Sequence, residues 1–106
     1  DRVFRFGGEE FVVLLRSTDL DNARRIIERF RADVEHHDFP QVGQVTVSIG
    51  FTSVSAADSP VVTLGHADQA LYFAKANGRN RVCHYEALVD GGLLQTVTTN
   101  DTAEFF

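Results

Sequence analysis

The sequence has little with which to staple or anchor itself. Cys83 is the single cysteine, which excludes an internal disulfide and a cysteine-based zinc cluster. No run of about eighteen apolar residues occurs, so no stretch is long enough to span a bilayer as a helix, and the basic-then-apolar layout of a secretory leader is missing too. A cytosolic location is the expectation. Positive charge is also scarce: 10 Lys and Arg against 15 Asp and Glu leave a formal net charge of -5. Nucleic-acid binding is driven by phosphate neutralisation and wants a basic face, so that partner is not expected. A single nucleotide stays open, because it needs only a few placed cations and metal-binding carboxylates. The four histidines, His36, His37, His66 and His84, show no metal-ligand spacing.

What is present suits one core. With 106 residues, 43% of them hydrophobic, the chain has room for one domain or part of one. It opens at Asp1 without a methionine and enters strand-like sequence at once, as a segment cut from a longer protein would.

Asp1 to Phe6 and Glu10 to Leu15 are rich in Val, Phe and Leu and flank Gly7-Gly8, which predicts a β-hairpin whose glycines supply positive φ. Phe11 to Leu15 is apolar on both faces, the pattern of a strand covered on each side. Thr18 and Asp21 stand at capping distance before Ala23, Ile26, Ile27, Phe30 and Val34, which predicts an amphipathic helix from about Asp19 to Glu35 with Arg24, Arg25, Glu28 and Arg31 outward. His37 to Gln44 reads as a loop. Val45, Val47, Ile49 and Phe51 then alternate with Thr46, Ser48 and Gly50, as in a strand with one face in the core. Ser59-Pro60 supplies an N-cap and a first-turn proline for a second helix, with apolar positions Val61, Leu64, Ala67, Leu71 and Ala74, ending at Gly78. Asn80 to Tyr85 resumes as a strand. The expectation is an α+β domain over residues 1–90, a sheet covered by helices, with 91–106 a tail or linker.

Two clusters could carry chemistry. Adjacent glycines leave a backbone turn uncovered, so a phosphate can approach main-chain N–H groups, and Glu9 and Glu10 follow as hard oxygen donors for a divalent cation. Alone, this is also how an ordinary turn with solvated acids looks. Lys75 and Arg79 stand four apart at the end of the second helix, suited either to a leaving phosphate or to offsetting the helix dipole.

Three segments in register decide between these readings. Arg5-Phe6-Gly7-Gly8-Glu9-Glu10-Phe11-Val12-Val13-Leu14-Leu15 resembles the signature hairpin of GGDEF domains, the catalytic modules of diguanylate cyclases, in its GGEEF variant. Val45 to Gly50 is similar to the family's next core strand, and Ala67 to Val82 to its terminal helix and strand. The resemblance covers the chain to about Tyr85 and implies a mixed, antiparallel-rich sheet of the nucleotidyl cyclase and polymerase-palm type, with a ferredoxin-like core.

It also implies a reaction, in which two GTP molecules become cyclic di-GMP and two pyrophosphates on a pair of domains. By the same resemblance, Glu9 and Glu10 are the catalytic acids and ligands of magnesium or manganese. Gly7 and Gly8 let GTP lie against the hairpin, and Lys75 and Arg79 hold its β- and γ-phosphates. Complete members begin with a further strand, carrying a metal-binding aspartate, and two guanine-reading helices. None of these is in the sequence, so the chain is expected to be the back part of the domain, inactive alone, with an open sheet edge. Asp1 falls at the aspartate of the family's inhibitory Arg-x-x-Asp motif, whose arginine would lie upstream, and Arg29 matches a second arginine of that product site. An upstream sensor or receiver domain is the implied input. The alternatives are a silent domain that senses GTP or cyclic di-GMP, and a related cyclase or polymerase palm using another nucleotide.

Overall fold

The computed structural model of the chain describes residues 2–16 and 19–94. Strands β1 (Arg2–Gly7) and β2 (Glu10–Leu15) form the expected antiparallel hairpin, closed at Gly7 opposite Glu10. The register slips between Arg5 and Gly7, and that bulge bends the ribbon into its turn. One expectation fails here. Neither Gly7 nor Gly8 lies at positive φ; the glycines that do are Gly43, Gly78 and Gly92. The bulge provides the bend that left-handed glycines were expected to supply.

Helix α1 (Leu20–His36) follows. Its N-cap is Asp19, whose carboxylate accepts from the Asn22 amide at 3.1 Å. Thr18, the first residue of the expected capping pair, lies outside the described residues. Ala23, Ile27 and Val34 pack on the sheet as the stripe predicts. Ile26 and Phe30 of the same stripe are 61% and 48% exposed, because α1 meets the sheet along a seam narrower than the pattern.

Strand β3 (Ser48–Ser53) begins three residues later than expected and is buried from Ser48 to Thr52 on both faces rather than one. The reason lies in helix α2 (Pro60–Ala76), which starts on the predicted Ser59 cap and first-turn proline. A Cβ built on Gly50 would stand 2.3 Å from both the Ala67 carbonyl oxygen and the Leu71 nitrogen. Strand and helix therefore touch backbone to backbone, and the small residues that read as a polar face are what permits the approach.

Strand β4 (Val82–His84) is only three residues long, and Tyr85–Asp90, expected in part as strand, forms a short helix α3. The sheet runs β1-β2-β3-β4, with β2/β3 and β3/β4 parallel and β1/β2 antiparallel. This is the mixed α/β sheet with helices that the sequence suggested, but among the described strands it is not antiparallel-rich, because the connections through α1 and α2 return the chain to start β3 and β4 in parallel. Its edges are β1 and β4, and β1 leaves Val3 and Phe6 exposed. Central strand β2 is covered on both sides as predicted. Val13 and Leu15 join Ile49 and Phe51 beneath α1, while Val12 packs with Ala67 and Leu71 of α2. Each buried Val, Leu, Ile or Phe side chain of this kind contributes about 1.5–3 kcal/mol. A third cluster, Ala70, Ala74, Cys83, Tyr85 and Leu88, seats α3 against α2, and Leu94 packs on it. The expected tail beyond Leu94 lies outside the described residues.

Candidate functional site

The hairpin turn, the start of β3 and the end of α2 meet at one end of the sheet. Parallel pairing of β2 with β3 sets Glu10 opposite Ser48, so both strands begin level with the Gly7–Glu10 turn. Helix α2 crosses the sheet toward the same end and stops at Ala76, with Asn77 as C-cap. Gly78 at φ 111° lets the chain reverse, and the Arg79 amide donates back to the Ala74 carbonyl at 2.9 Å. Although the helix does not persist to Arg79, this turn brings Lys75 and Arg79 to one place.

That place is the carboxylate of Glu10. Its Oε1 lies 3.2 Å from Lys75 Nζ and its Oε2 lies 3.5 Å from Arg79 Nη1. Lys75, 65 positions along the chain from the hairpin acid, and Arg79, four beyond it, thus converge on Glu10, and the acid and base clusters of the sequence form one constellation. Gly7 closes the other side: a Cβ there would sit 3.3 Å from Glu10 Oε1, crowding the carboxylate. Gly8 is exposed at the tip. Glu9 is exposed too, and its carbonyl accepts from the Ser48 amide at 2.8 Å. Of the two acids it is Glu10 that meets the cations.

The expected metal finds a partial set of donors. Among the described residues no group of three or more His, Cys, Asp or Glu side chains converges to hold an ion. Magnesium bound chiefly through substrate phosphates needs only one or two carboxylates; here the Glu10 carboxylate is engaged by Lys75 and Arg79, and Glu9 is exposed.

Several residues at this end escaped the sequence reading. Arg5 grips the turn from below, its Nε donating to the Gly7 carbonyl at 2.9 Å and its Nη2 to the Gly8 carbonyl at 3.3 Å. Arg31, expected on the outer face of α1, turns inward instead. It donates to Glu28 and Glu35 on its own helix and, at 2.8 Å, to Asn80 Oδ1. Three acceptors on one side explain the inward turn. The bonds to Glu28 and Glu35 raise the Arg31 pKa, with Glu28 the largest cause. The Glu35 carboxyl is held below its usual range by hydrogen bonds from Asn80 and Arg31. A signal for Asn80 was available, since asparagine tolerates the left-handed backbone that follows a helix-ending glycine.

Of the expected product-site residues, Asp1 lies outside the described residues and Arg29 is exposed on α1. Burial pushes the Cys83 thiol up, which keeps it protonated and unreactive. Asp68, buried on α2, is raised by burial and lowered in part by Lys75. Two concavities among the described residues lie away from the hairpin turn. One of about 660 Å³ is lined by Arg2, Phe4, Pro60 and Leu64 at the opposite end of α2, and one of about 560 Å³ lies beneath α1 beside His84 and Leu88. Among the described residues no helix is long and apolar enough to cross a membrane.

Comparison with known proteins points the same way. The family described as "Diguanylate cyclase, GGDEF domain" matches residues 1–81. Over 85 residues the chain is 42% identical to diguanylate cyclase DgcP of Pseudomonas aeruginosa, covering 77% of this chain and 13% of that protein. It is 43% identical over 84 residues to the response regulator PleD of Caulobacter vibrioides, covering 74% and 18%. It is 44% identical over 82 residues to diguanylate cyclase DgcM of Escherichia coli, covering 77% and 20%. The chain therefore spans a fifth or less of the length of these three relatives. No solved structure matches it.

Proposed function

The chain belongs to the GGDEF-domain family of diguanylate cyclases, and we propose that it supplies the acidic hairpin and the phosphate grip of an enzyme that joins two GTP molecules into cyclic di-GMP. The observation that carries this reading is the convergence of Lys75 and Arg79 on Glu10 across the hairpin and α2. A polyphosphate laid along the turn meets both cations at the point where the Glu10 carboxylate now engages them.

In this reading the 3′-hydroxyl oxygen of one GTP attacks the α-phosphorus of the other, the bond to pyrophosphate breaks, and the hydroxyl proton leaves to a base. Lys75 and Arg79 neutralise the charge that accumulates on the departing pyrophosphate. Arg79 forks two donors onto phosphate oxygens, while Lys75 acts as a point charge. Gly7 and Gly8 allow the nucleotide to lie close to the main chain. Glu9, exposed at the turn, reaches the attacking hydroxyl and accepts its proton. Glu9 and Glu10 would hold a magnesium or manganese ion, which when bound supplies Lewis-acid neutralisation of the phosphates.

Each GTP receives the other's hydroxyl, so the reaction needs two domains facing each other, brought together by a sensor or receiver domain elsewhere in the protein. Guanine recognition and a further metal-binding acid belong to upstream parts of the domain. The isolated chain, residues 1–90 of it the domain portion and the remainder a tail, is therefore proposed to be inactive by itself. The test is product analysis on the full-length protein with GTP and magnesium. Glu9→Ala should lower cyclic di-GMP formation by orders of magnitude, about a thousandfold or more, with the fold retained. Activity close to that of the unmodified protein would reject the assignment.

A further inference from the structure

The turn after α2 is not a shape the chain holds by itself. Gly78, Arg79 and Asn80 lie in succession at φ 111°, 60° and 48°. For residues with a side chain the left-handed region is disfavoured, less for asparagine than for arginine. Something must hold Arg79 there, and the structure shows what does. The Asn80 amide nitrogen donates to Ser48 Oγ at 3.1 Å. The Asn80 side chain is engaged at both ends, Oδ1 accepting from Arg31 Nη1 at 2.8 Å and Nδ2 donating to Glu35 Oε2 at 2.8 Å. Arg31 is in turn fixed by Glu28 and Glu35. On the far side, the Ser48 amide donates to the Glu9 carbonyl at 2.8 Å.

A continuous run of hydrogen bonds thus leads from α1 through Asn80 and Ser48 to the backbone of the acidic hairpin. It passes through the neighbour of Arg79 at one end and the neighbour of Glu10 at the other. We propose that Asn80 and Ser48 are positioning residues, which set where Arg79 stands relative to Glu9 and Glu10, and that α1 holds the setting through Arg31 and Glu35. The inference rests on the phosphate-gripping role proposed above for Arg79.

A second connection between the two halves exists, the ion pairs of Glu10 with Lys75 and Arg79, but it cannot serve the same purpose. Arg79 is more than half exposed, and solvent-screened ion pairs of this kind hold geometry only weakly. When a polyphosphate draws Lys75 and Arg79 to itself, those pairs loosen. The Asn80–Ser48–Glu9 path involves no group that binds substrate through its side chain except Glu9, whose contribution to it is a main-chain carbonyl. It therefore persists while the cations change partners.

The experiment is a cycle on the full-length protein, reading kcat/KM for GTP and thermal stability together. Asn80→Gly keeps the left-handed backbone accessible and removes both side-chain bonds. Ser48→Ala removes only the acceptor for the Asn80 amide, and serves if the first variant does not fold. Each should lower kcat/KM about tenfold or more, since small displacements of a positioning group have effects of this size. In an Arg79→Ala background each should change it by less than about twofold, the mark of residues acting through one another. If Arg79→Ala lowers kcat/KM but the other two leave it unchanged, or lower it equally with and without Arg79, the positioning role is overturned while the phosphate grip stands. If Arg79→Ala itself has no effect, the reading beneath the inference falls and the inference with it.

Discussion

Two helices of equal length, 17 residues each, lie on opposite faces of the sheet and are attached to it by different means. Helix α2 has eight buried residues and touches β3 backbone to backbone at Gly50. Helix α1 has no buried residue, packs through half-buried Ala23, Ile27 and Val34, and joins the site end through the Arg31–Glu35–Asn80 network. The difference teaches which element carries the site and which adjusts it. Lys75 belongs to that helix and cannot move without disturbing the core, whereas Arg79 stands in the turn beyond its end. The helix with the looser seam holds the turn from outside through side-chain hydrogen bonds.

The largest test of this contrast is Gly50→Ala. The added methyl would meet the main chain of Ala67 and Leu71, which no rotamer change relieves, so β3 and α2 must separate. Chemical denaturation should show a loss of about 3 kcal/mol or more, at the upper end for overpacked cores. Ile27→Ala on α1 should cost about 1 kcal/mol in the same measurement, below the usual range for a fully buried isoleucine because the side chain is only half-buried. Equal losses at the two positions would erase the distinction between the helices.

The smallest expected effect is a difference in pH dependence. The folded Asp68 on α2 has its pKa raised above the ordinary 3.8 by burial. The native state therefore keeps that proton longer than the unfolded chain, and stability falls as pH rises out of the ordinary carboxylate range. Glu35 on α1 is shifted the other way by Asn80 and Arg31, so its contribution is present above the ordinary 4.5 and lost as pH falls below it. Asp68→Asn should flatten the decline on the rising side, and Glu35→Gln the loss on the acid side, in melting curves taken from about pH 3 to pH 7. The reverse assignment would mean that burial does not govern Asp68.

Much of this architecture was legible in the residues. The hairpin, the two-sided β2, both long helices and the Ser59–Pro60 start of α2 follow from periodicity and caps. The acid and base clusters were legible as types, though only the fold could show that they meet. What escaped had physical causes. Ser48 and Gly50 look like part of a polar face because small residues suit both solvent and a close helix, and here Gly50 meets a helix. Tyr85 to Asp90 is too short for a helical period to emerge, and His84 offers no side-chain cap. Arg31 reads as outward by its position on the wheel, but a guanidinium can reach around a helix to three acceptors. The bulge before Gly7 leaves no trace in composition, so positive φ was assigned to glycines that do not use it.

The central claim is that Lys75 and Arg79 act together with the hairpin acids on one polyphosphate. Its most direct test is cyclic di-GMP formation by the full-length protein carrying Lys75→Ala or Arg79→Ala, with thermal stability measured alongside. Each variant should keep its melting temperature and lose about a hundredfold or more in kcat/KM for GTP, the scale of removing one charge-stabilising group from a phosphoryl-transfer site. Turnover within about twofold of the unmodified protein in both variants would contradict it.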